Sequence, residues 1–276
     1  MQHTGTFKAR GAQNFIQAHL AEGTFPEAGV TIASGGNAGL ACAWAARAAQ
    51  VPATVFLPTT APSVKVERLR SYGAQVELVG SEFAEAAAAC QEFVDSSGAL
   101  ASHAYDHPLI AAGAGTLMTE ILTQVPDLDT VVVSVGGGGL FAGVATAATH
   151  HGVRTVAVEP ENCRALNAAV EAGEPVDVTV DSVASDSLGA RRATPLALDA
   201  ARSDLVTSAL VSDDAIIAAR QHLWDEHRLA VEHAAATALA GVSGSGAGKT
   251  AGGYVTAEGE KVCVVLCGAN TSLGDL

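Results

Sequence analysis

Basic side chains are scarce in this sequence. Its 276 residues include 15 lysines and arginines against 29 aspartates and glutamates, which gives a formal net charge of −14 at pH 7. Nucleic acids and anionic membrane surfaces are bound by clustered Lys and Arg, so this balance argues against both as partners. No apolar run reaches the roughly 18 residues of a bilayer-spanning helix, and the first residues lack the charged-then-apolar pattern of a secretory signal.

Cysteines are few as well. The five cysteines are scattered and form no C-x-x-C pair, which is typical of a reducing compartment, and we expect a cytoplasmic location. Hydrophobic residues, in contrast, make up 49% of the chain. A chain of this length and composition can bury one large core or two modest ones.

Short apolar runs alternate with longer alanine-rich stretches along the chain. The apolar runs predict strands at 30–33, 53–57, 75–79, 131–135, 155–158 and 262–266. The stretches between them predict helices at 12–20, 38–50, 62–72, 82–96, 110–124 and 212–228. Continuous apolar runs are typical of parallel strands that are covered on both faces, so the sequence predicts an α/β fold with parallel sheets.

Two glycine-rich stretches are candidates for phosphate binding. The first, GSGAGKT at 244–250, resembles a nucleotide-binding P-loop, but Ser243 stands where that pattern requires glycine. In addition, Gly252 and Gly253 follow where a helix should begin. We therefore interpret this stretch as a surface loop.

The second stretch, 136–139, follows a predicted strand and precedes a predicted helix. Successive glycines expose backbone N–H groups, and a helix N-terminus adds positive potential, so an anion is expected here. Gly137, Gly139 and Ala142 also satisfy the relaxed dinucleotide-binding pattern, with Glu159 near the position of a ribose-binding acid. From these residues alone, a dinucleotide, another phosphate ligand and a simple tight turn all remain open.

Four motifs occur in a specific order. They are TGTFKARGA at 4–12, SGGNAG at 34–39, GGGG at 136–139 and CGAN at 267–270. In this order and over essentially the whole chain, they resemble the fold-type II pyridoxal 5'-phosphate (PLP) enzymes, and within these the serine/threonine dehydratases. The resemblance implies two open parallel-sheet domains with the cofactor between them. The implied large PLP-binding domain comprises 1–28 and 106–276, and the small substrate-loop domain comprises 29–105.

The resemblance also implies a role for each motif in holding PLP. Lys8 carries the cofactor covalently and later acts as the catalytic base, while Phe7 packs on one face of the ring. Ser187 is a looser match to the position on the other face. Asn37 binds the 3'-oxygen of the ring. The phosphate is held by Gly136, Gly137, Gly138 and Gly139, which displaces the dinucleotide interpretation.

Cys267 is implied to face the pyridine nitrogen. A neutral thiol cannot keep that nitrogen protonated as an acid would, and the weaker electron sink favours loss of a β-substituent over transamination. The implied reaction is elimination of water from L-serine, L-threonine or both, which yields pyruvate or 2-oxobutyrate and ammonia.

The loop after the first strand is implied to bind the amino-acid substrate through Ser34, Gly35, Asn37 and Ala38. Gly35 lacks the hydroxyl that serine racemases use to return a proton, and Ala38 matches the serine-preferring type. A serine racemase, another PLP β-replacement enzyme and an inactive truncated homologue remain as alternatives.

The resemblance also implies a cation site and a dimer. Glu159 and main-chain oxygens of Cys163, Leu188 and Ala190 match the family's cation site, and such oxygen ligands suit K⁺. A solvated surface charge is the alternative for Glu159. Only seven residues precede Lys8, fewer than in family members, so either the start of the gene is misplaced or the N-terminal segment is truncated. We expect a homodimer, which a truncation would weaken.

Overall fold

The computed structural model describes residues 2–243, 253–272 and 274. The chain divides into two compact units, Met1–Gly113 and Ala114–Leu276. The GSGAGKT stretch at 244–250 lies outside the described residues. Within the part of the chain that is described, no helix is both long and apolar enough to cross a membrane.

The first unit is built on a four-stranded parallel sheet with the order β3-β2-β1-β4. Its strands are β1 (Val30–Ala33), β2 (Ala53–Leu57), β3 (Gln75–Leu78) and β4 (Leu100–Ala101). Its helices are α1 (Lys8–Ala21), α2 (Asn37–Ala49), α3 (Ser63–Ser71) and α4 (Phe83–Ser97). Helix α5 (Pro108–Gln124) leads from this unit into the second. Strands that alternate with helices in this way must run parallel, because each crossover returns the chain to the same end of the sheet.

Small side chains let the helices of the first unit pack closely. Helix α2 buries Ala41, Ala45 and Ala46 almost completely against β1 and its neighbours, and α1 adds Phe15 and Ile16 to the same core. Helix α1 therefore groups with the first sheet. The domain division implied by the resemblance assigns 1–28 and 106–113 to the other domain, and that functional division stays a prediction.

The second unit is built on a four-stranded parallel sheet with the order β10-β5-β6-β7. Its strands are β5 (Thr130–Ser134), β6 (Arg154–Pro160), β7 (Val206–Val211) and β10 (Val262–Val264). A two-stranded sheet pairs β8 (Val242–Ser243) with β9 (Tyr254–Val255). Its helices are α6 (Gly139–His150), α7 (Ala165–Ala172), α8 (Ser185–Leu188), α9 (Pro195–Ala201), α10 (Asp213–His227) and α11 (His233–Ala240). Strand β5 is completely buried, as expected for a central parallel strand.

The predicted α/β class with two parallel sheets is confirmed. All six predicted strands occur, as do the six helices predicted from the alanine-rich stretches and the helix predicted after the glycine stretch 136–139, with ends that differ by a few residues. The short strands β4, β8 and β9 and the longer strand β7 are additions that the apolar pattern did not predict. Strand β7 lies at the edge of its sheet and exposes Thr207 and Ser208, so its sequence is not a continuous apolar run and does not predict a strand.

Candidate active site

Lys8 is the first residue of α1, and its amine is held in a defined position. The half-buried Nζ donates a hydrogen bond to the carbonyl oxygen of Ala104 at 3.0 Å. It also lies 4.8 Å from the centre of the Phe7 ring, whose negative face attracts a cation. The amine is therefore oriented by a backbone carbonyl and by an aromatic ring.

The carbonyl that contacts Lys8 belongs to a turn that is closed by His103. The Nδ1 atom of His103 accepts hydrogen bonds from the backbone N–H groups of Tyr105 at 3.2 Å and of Asp106 at 2.7 Å. These bonds require an unprotonated Nδ1. Partial loss of hydration lowers the pKa of His103, the nearby charge of Lys8 lowers it further, and Asp106 opposes both effects.

The asparagine loop connects β1 to α2 at the carboxyl end of β1. A Cβ atom at Gly39 would lie 1.8 Å from the carbonyl oxygen of Ser34, so the first turn of the helix can rest on this loop only with glycine at 39. Gly36 caps α2 without a side-chain hydrogen bond among the described residues. The first N–H groups of a helix have no acceptor within the helix, so this terminus can receive a carboxylate.

Two residues of this loop are predicted to bear on substrate choice. A Cβ at Gly35 would approach Cδ2 of the buried Leu57 to 2.7 Å, so a hydroxyl-bearing residue fits only if that flexible side chain shifts. Ala38 is buried at the start of α2. The Ser34 hydroxyl accepts a long hydrogen bond from the N–H of Gly36 at 3.4 Å.

The glycine loop follows β5 in the second unit and ends in α6. Gly138 has a φ angle of 98°, in the left-handed region that favours glycine, and a Cβ there would lie 2.3 Å from Cβ of Ala197. The carbonyl of Gly137 accepts a hydrogen bond from the N–H of Thr194 at 3.0 Å. No described side chain caps α6. The first N–H groups of α6 therefore remain available to an anion, and a phosphate group fits this loop.

Cys267 lies at the same edge of the second sheet. It follows β10, the neighbour of β5, and its buried Sγ lies 3.6 Å from the hydroxyl of Ser134 at the end of β5. Glu232 fixes the chain after Cys267, since its carboxylate accepts a hydrogen bond from the N–H of Asn270 at 2.9 Å and its own N–H donates to the carbonyl of Gly268. A thiol is thus held beside the glycine loop.

The residues of the predicted cation site are close to one another, but their oxygen atoms have other partners. The Glu159 carboxylate accepts hydrogen bonds from the N–H groups of Leu166 and Asn167, both at 2.7 Å. The Leu188 carbonyl accepts from Sγ of Cys163 at 3.0 Å and from the N–H of Ala190 at 2.9 Å. The cation site stays a prediction.

Glu159 is nevertheless not the surface charge that the alternative interpretation required, because its side chain is completely buried. Burial raises the pKa of Glu159 to about 7, although the two backbone N–H groups and the charge of Arg164 oppose the shift. A carboxylate at the N-terminus of α7 also interacts favourably with the helix dipole.

The residues present fit an anionic aldehyde cofactor. The first unit supplies a half-buried, oriented amine at Lys8 and the N-terminus of α2. The second unit supplies a glycine loop for an anion and the Cys267 thiol. Ser187, the looser match to a ring-face position, lies in α8 and donates a long hydrogen bond to the carbonyl of Ala184 at 3.4 Å.

Two parallel-sheet units that carry a motif lysine, an asparagine loop and a phosphate-type glycine loop define the fold-type II class of PLP enzymes. The chain matches the family described as pyridoxal-phosphate dependent enzyme over residues 1–268. It belongs to that family.

Individual relatives show the same similarity. The chain is 37% identical to an L-threonine ammonia-lyase of Geobacter sulfurreducens over 242 residues, which are 87% of this chain and 60% of that protein. It is 35% identical to a serine dehydratase-like protein of Homo sapiens over 276 residues, which are 98% of this chain and 83% of that protein. The processed form of threonine deaminase isoform 2 from Solanum lycopersicum superposes with a TM-score of 0.87 at 28% identity, covering 100% of this chain and 74% of that one.

Several relatives are considerably longer than this chain. It spans 60% of the Geobacter protein, 52% of a biosynthetic L-threonine dehydratase of Haemophilus influenzae and 65% of an L-threonine ammonia-lyase of Thermotoga maritima.

Sequence reasoning did not identify the contact of Ala104 with Lys8, the turn closed by His103 or the support of Cys267 by Glu232. A backbone carbonyl leaves no signal in a sequence, because any residue provides one. Glu232 lies far along the chain from Asn270, and His103 lies far from Lys8, so only the fold brings these residues together.

Proposed function

We propose that the chain eliminates water from L-serine, L-threonine or both, and releases ammonia and a 2-oxo acid. The observation that carries this proposal is the oriented amine of Lys8, held by the Ala104 carbonyl in a chain of the PLP-dependent family. The names of its relatives, L-threonine ammonia-lyase and serine dehydratase-like, support the same activity.

In the proposed site, each residue has a separate task. PLP supplies the electron-withdrawing ring that makes the α-proton of a bound amino acid acidic. Lys8 would hold the cofactor covalently until the substrate's amine displaces it, and the freed Nζ would then accept that proton. The N-terminus of α2 and the Ser34 hydroxyl bind the substrate carboxylate, and Asn37 binds the 3'-oxygen of the cofactor.

The second unit contributes the groups that fix the cofactor and its electronic state. Gly136 to Gly139 bind the phosphate through backbone N–H groups. Cys267 would be the neutral partner of the ring nitrogen and would not protonate it, which would favour loss of the β-hydroxyl over transamination. The buried position of its thiol beside Ser134 supports this role.

Replacement of the lysine tests this proposal. Lys8→Ala is expected to abolish both the yellow absorbance of covalently bound PLP and the release of ammonia. Lys65→Ala, which removes an exposed lysine of α3, should leave both unchanged. Ammonia release by a correctly folded Lys8→Ala protein at the rate of the unsubstituted chain would contradict the assignment.

Substrate choice follows from the asparagine loop. With Gly35 and Ala38 in this loop, no side chain there selects the β-methyl group, and one methyl group is worth only about 1–3 kcal/mol, so the two substrates should differ by less than roughly 200-fold. Pyruvate and 2-oxobutyrate formation measure this ratio, and chiral chromatography detects D-serine. D-serine formed as fast as pyruvate would instead favour a racemase.

We also propose a homodimer, a K⁺ ion bound near Glu159 and a cytoplasmic location. Sedimentation equilibrium tests the dimer, and cell fractionation tests the location. For the cation, KCl should raise the unfolding temperature above that in tetramethylammonium chloride of the same ionic strength, and Glu159→Gln should remove the difference. Equal temperatures in both salts would contradict a K⁺ site.

A further inference from the structure

The turn His103–Asp106 connects an imidazole to the amine of Lys8 through one backbone carbonyl. Nδ1 of His103 accepts two backbone hydrogen bonds that close the turn, and the closed turn presents the Ala104 carbonyl to Nζ of Lys8 at 3.0 Å. The imidazole itself is exposed on one side and stacks edge-on against Tyr105, with ring centres 4.9 Å apart. The described contacts let it act on Lys8 through the turn and through its charge.

The ionisable groups around His103 are Lys8, Asp106, His107 and Tyr105. Lys8 disfavours a positive charge on the imidazole, and Asp106 favours one. His107 is coupled to His103 by repulsion, but its own Nδ1 accepts from the N–H of Leu109 at 3.1 Å and does not close the turn. This difference makes His107 a matched control.

We propose that His103 is a positioning residue for Lys8: its unprotonated Nδ1 closes the turn that holds the Ala104 carbonyl against the lysine amine, and protonation of the imidazole opens that turn. The proposal rests on the proposed role of Lys8 as the residue that binds the cofactor.

The consequence for Lys8 depends on pH. A protonated Nδ1 carries a hydrogen and cannot accept the N–H groups of Tyr105 and Asp106, so the turn loses both bonds at once. The pKa of His103 is lowered from its ordinary value of 6.5, so the turn stays closed at neutral pH. It opens only when the pH falls below this lowered pKa. Once the turn opens, the amine loses a fixed acceptor and its side chain regains rotational freedom.

Three substitutions separate the hydrogen bonds from the titration. His103→Ala removes the acceptor. His103→Asn keeps one, because the Oδ1 atom of asparagine commonly accepts from the N–H two residues on, and it does not titrate. His107→Asn removes the neighbouring imidazole and leaves His103 in place.

The measurement uses the full-length chain, stripped of cofactor, between pH 5.5 and 8. One sample is treated with formaldehyde and cyanoborohydride and another with PLP and cyanoborohydride. Mass spectrometry then gives the modification of Lys8 relative to the exposed Lys65. The extent of methylation by formaldehyde reports how strongly the hydrogen bond to Ala104 protects the amine from reaction. The extent of modification by PLP reports how well the amine is positioned to bind the cofactor.

We expect opposite changes in the two reactions at pH 7.5. In His103→Ala, the relative methylation of Lys8 should rise about fivefold and its relative modification by PLP should fall about fivefold, the factor that corresponds to the roughly 1 kcal/mol of one hydrogen bond. His103→Asn should match the unsubstituted chain at pH 7.5.

Acid pH provides the second half of the test. As the pH falls below 6.5, the relative methylation of Lys8 should rise and its relative modification by PLP should fall in the unsubstituted chain and in His107→Asn. Both ratios should stay constant in His103→Asn. If both modification ratios of His103→Asn changed below pH 6.5 as much as those of the unsubstituted chain, the inference would be overturned. Unchanged ratios in His103→Ala at pH 7.5 would also overturn it. Absence of any PLP adduct at Lys8, with the formaldehyde pattern intact, would overturn the proposed function alone.

Discussion

Glu159 shows how one buried side chain can make the stability of the chain depend on pH. Its pKa is raised by burial to about 7 from an ordinary value of 4.5. Below pH 4.5 the carboxyl is protonated in both states. Between these values the unfolded chain has lost the proton and the folded chain keeps it. The free energy of unfolding therefore falls as the pH rises to 7, and above that pH the stabilising contribution of the protonated carboxyl is gone.

The corresponding prediction uses the uncharged analogue. Between pH 4.5 and 8, the unsubstituted chain should lose about 3 kcal/mol more of its free energy of unfolding than Glu159→Gln does. Urea unfolding at several pH values measures the difference. Glu161→Gln, which changes an exposed neighbour, is the control and should follow the unsubstituted chain. Parallel profiles for Glu159→Gln and the unsubstituted chain would contradict the pKa shift.

At the scale of the element, the start of α6 depends on a backbone conformation that other residues rarely adopt. Gly138→Ala should cost about 2–4 kcal/mol of the free energy of unfolding, because it adds a contact with Ala197 to the strain of a left-handed residue. Gly152→Ala is the matched control. Its φ angle of 72° gives the same kind of strain, but a Cβ there meets no described atom within 4 Å, so about 1 kcal/mol is expected.

Urea unfolding of both variants tests this comparison. Equal losses would show that the contact with Ala197 relaxes without cost. A larger loss for Gly152→Ala would contradict the description of the glycine loop itself.

The elements differ in how far the sequence predicts them. Strands such as β2 and β5 are continuous apolar runs, and such runs become buried parallel strands. Strand β7 was not predicted because it alternates little and exposes polar residues. In the same way, the motif residues Lys8 and Asn37 are recognisable by type and order, whereas the His103 turn depends on a loop conformation that residue types do not specify.

At the scale of the whole molecule, the two compact units should respond differently to ligands. A ligand at about 100 times its dissociation constant stabilises the folded chain by roughly 2.7 kcal/mol. Inorganic phosphate should protect amides of α6 in the second unit from hydrogen exchange, because it can occupy the glycine loop. PLP should protect those amides and also the beginning of α1 in the first unit, because it reacts with Lys8.

Mass-resolved hydrogen exchange on the full chain measures both effects. Lys8→Ala should keep the protection by phosphate and lose the PLP-dependent protection of α1. Gly138→Ala should weaken the binding of both phosphate and PLP. Protection of α1 by phosphate alone would contradict the assignment of the anion site to the glycine loop.

The alanine face of α2 also limits how this chain can change over generations. Ala41, Ala45 and Ala46 are at most 1% exposed, and in a core packed like a crystal each added methylene group must displace a neighbour. In a saturation library selected for stable expression, we expect these positions to accept little beyond glycine, serine and cysteine. The exposed Arg47 on the same helix should vary widely. If the loop before α2 binds the substrate as proposed, new substrate preferences are more accessible through that loop than through the helix that supports it.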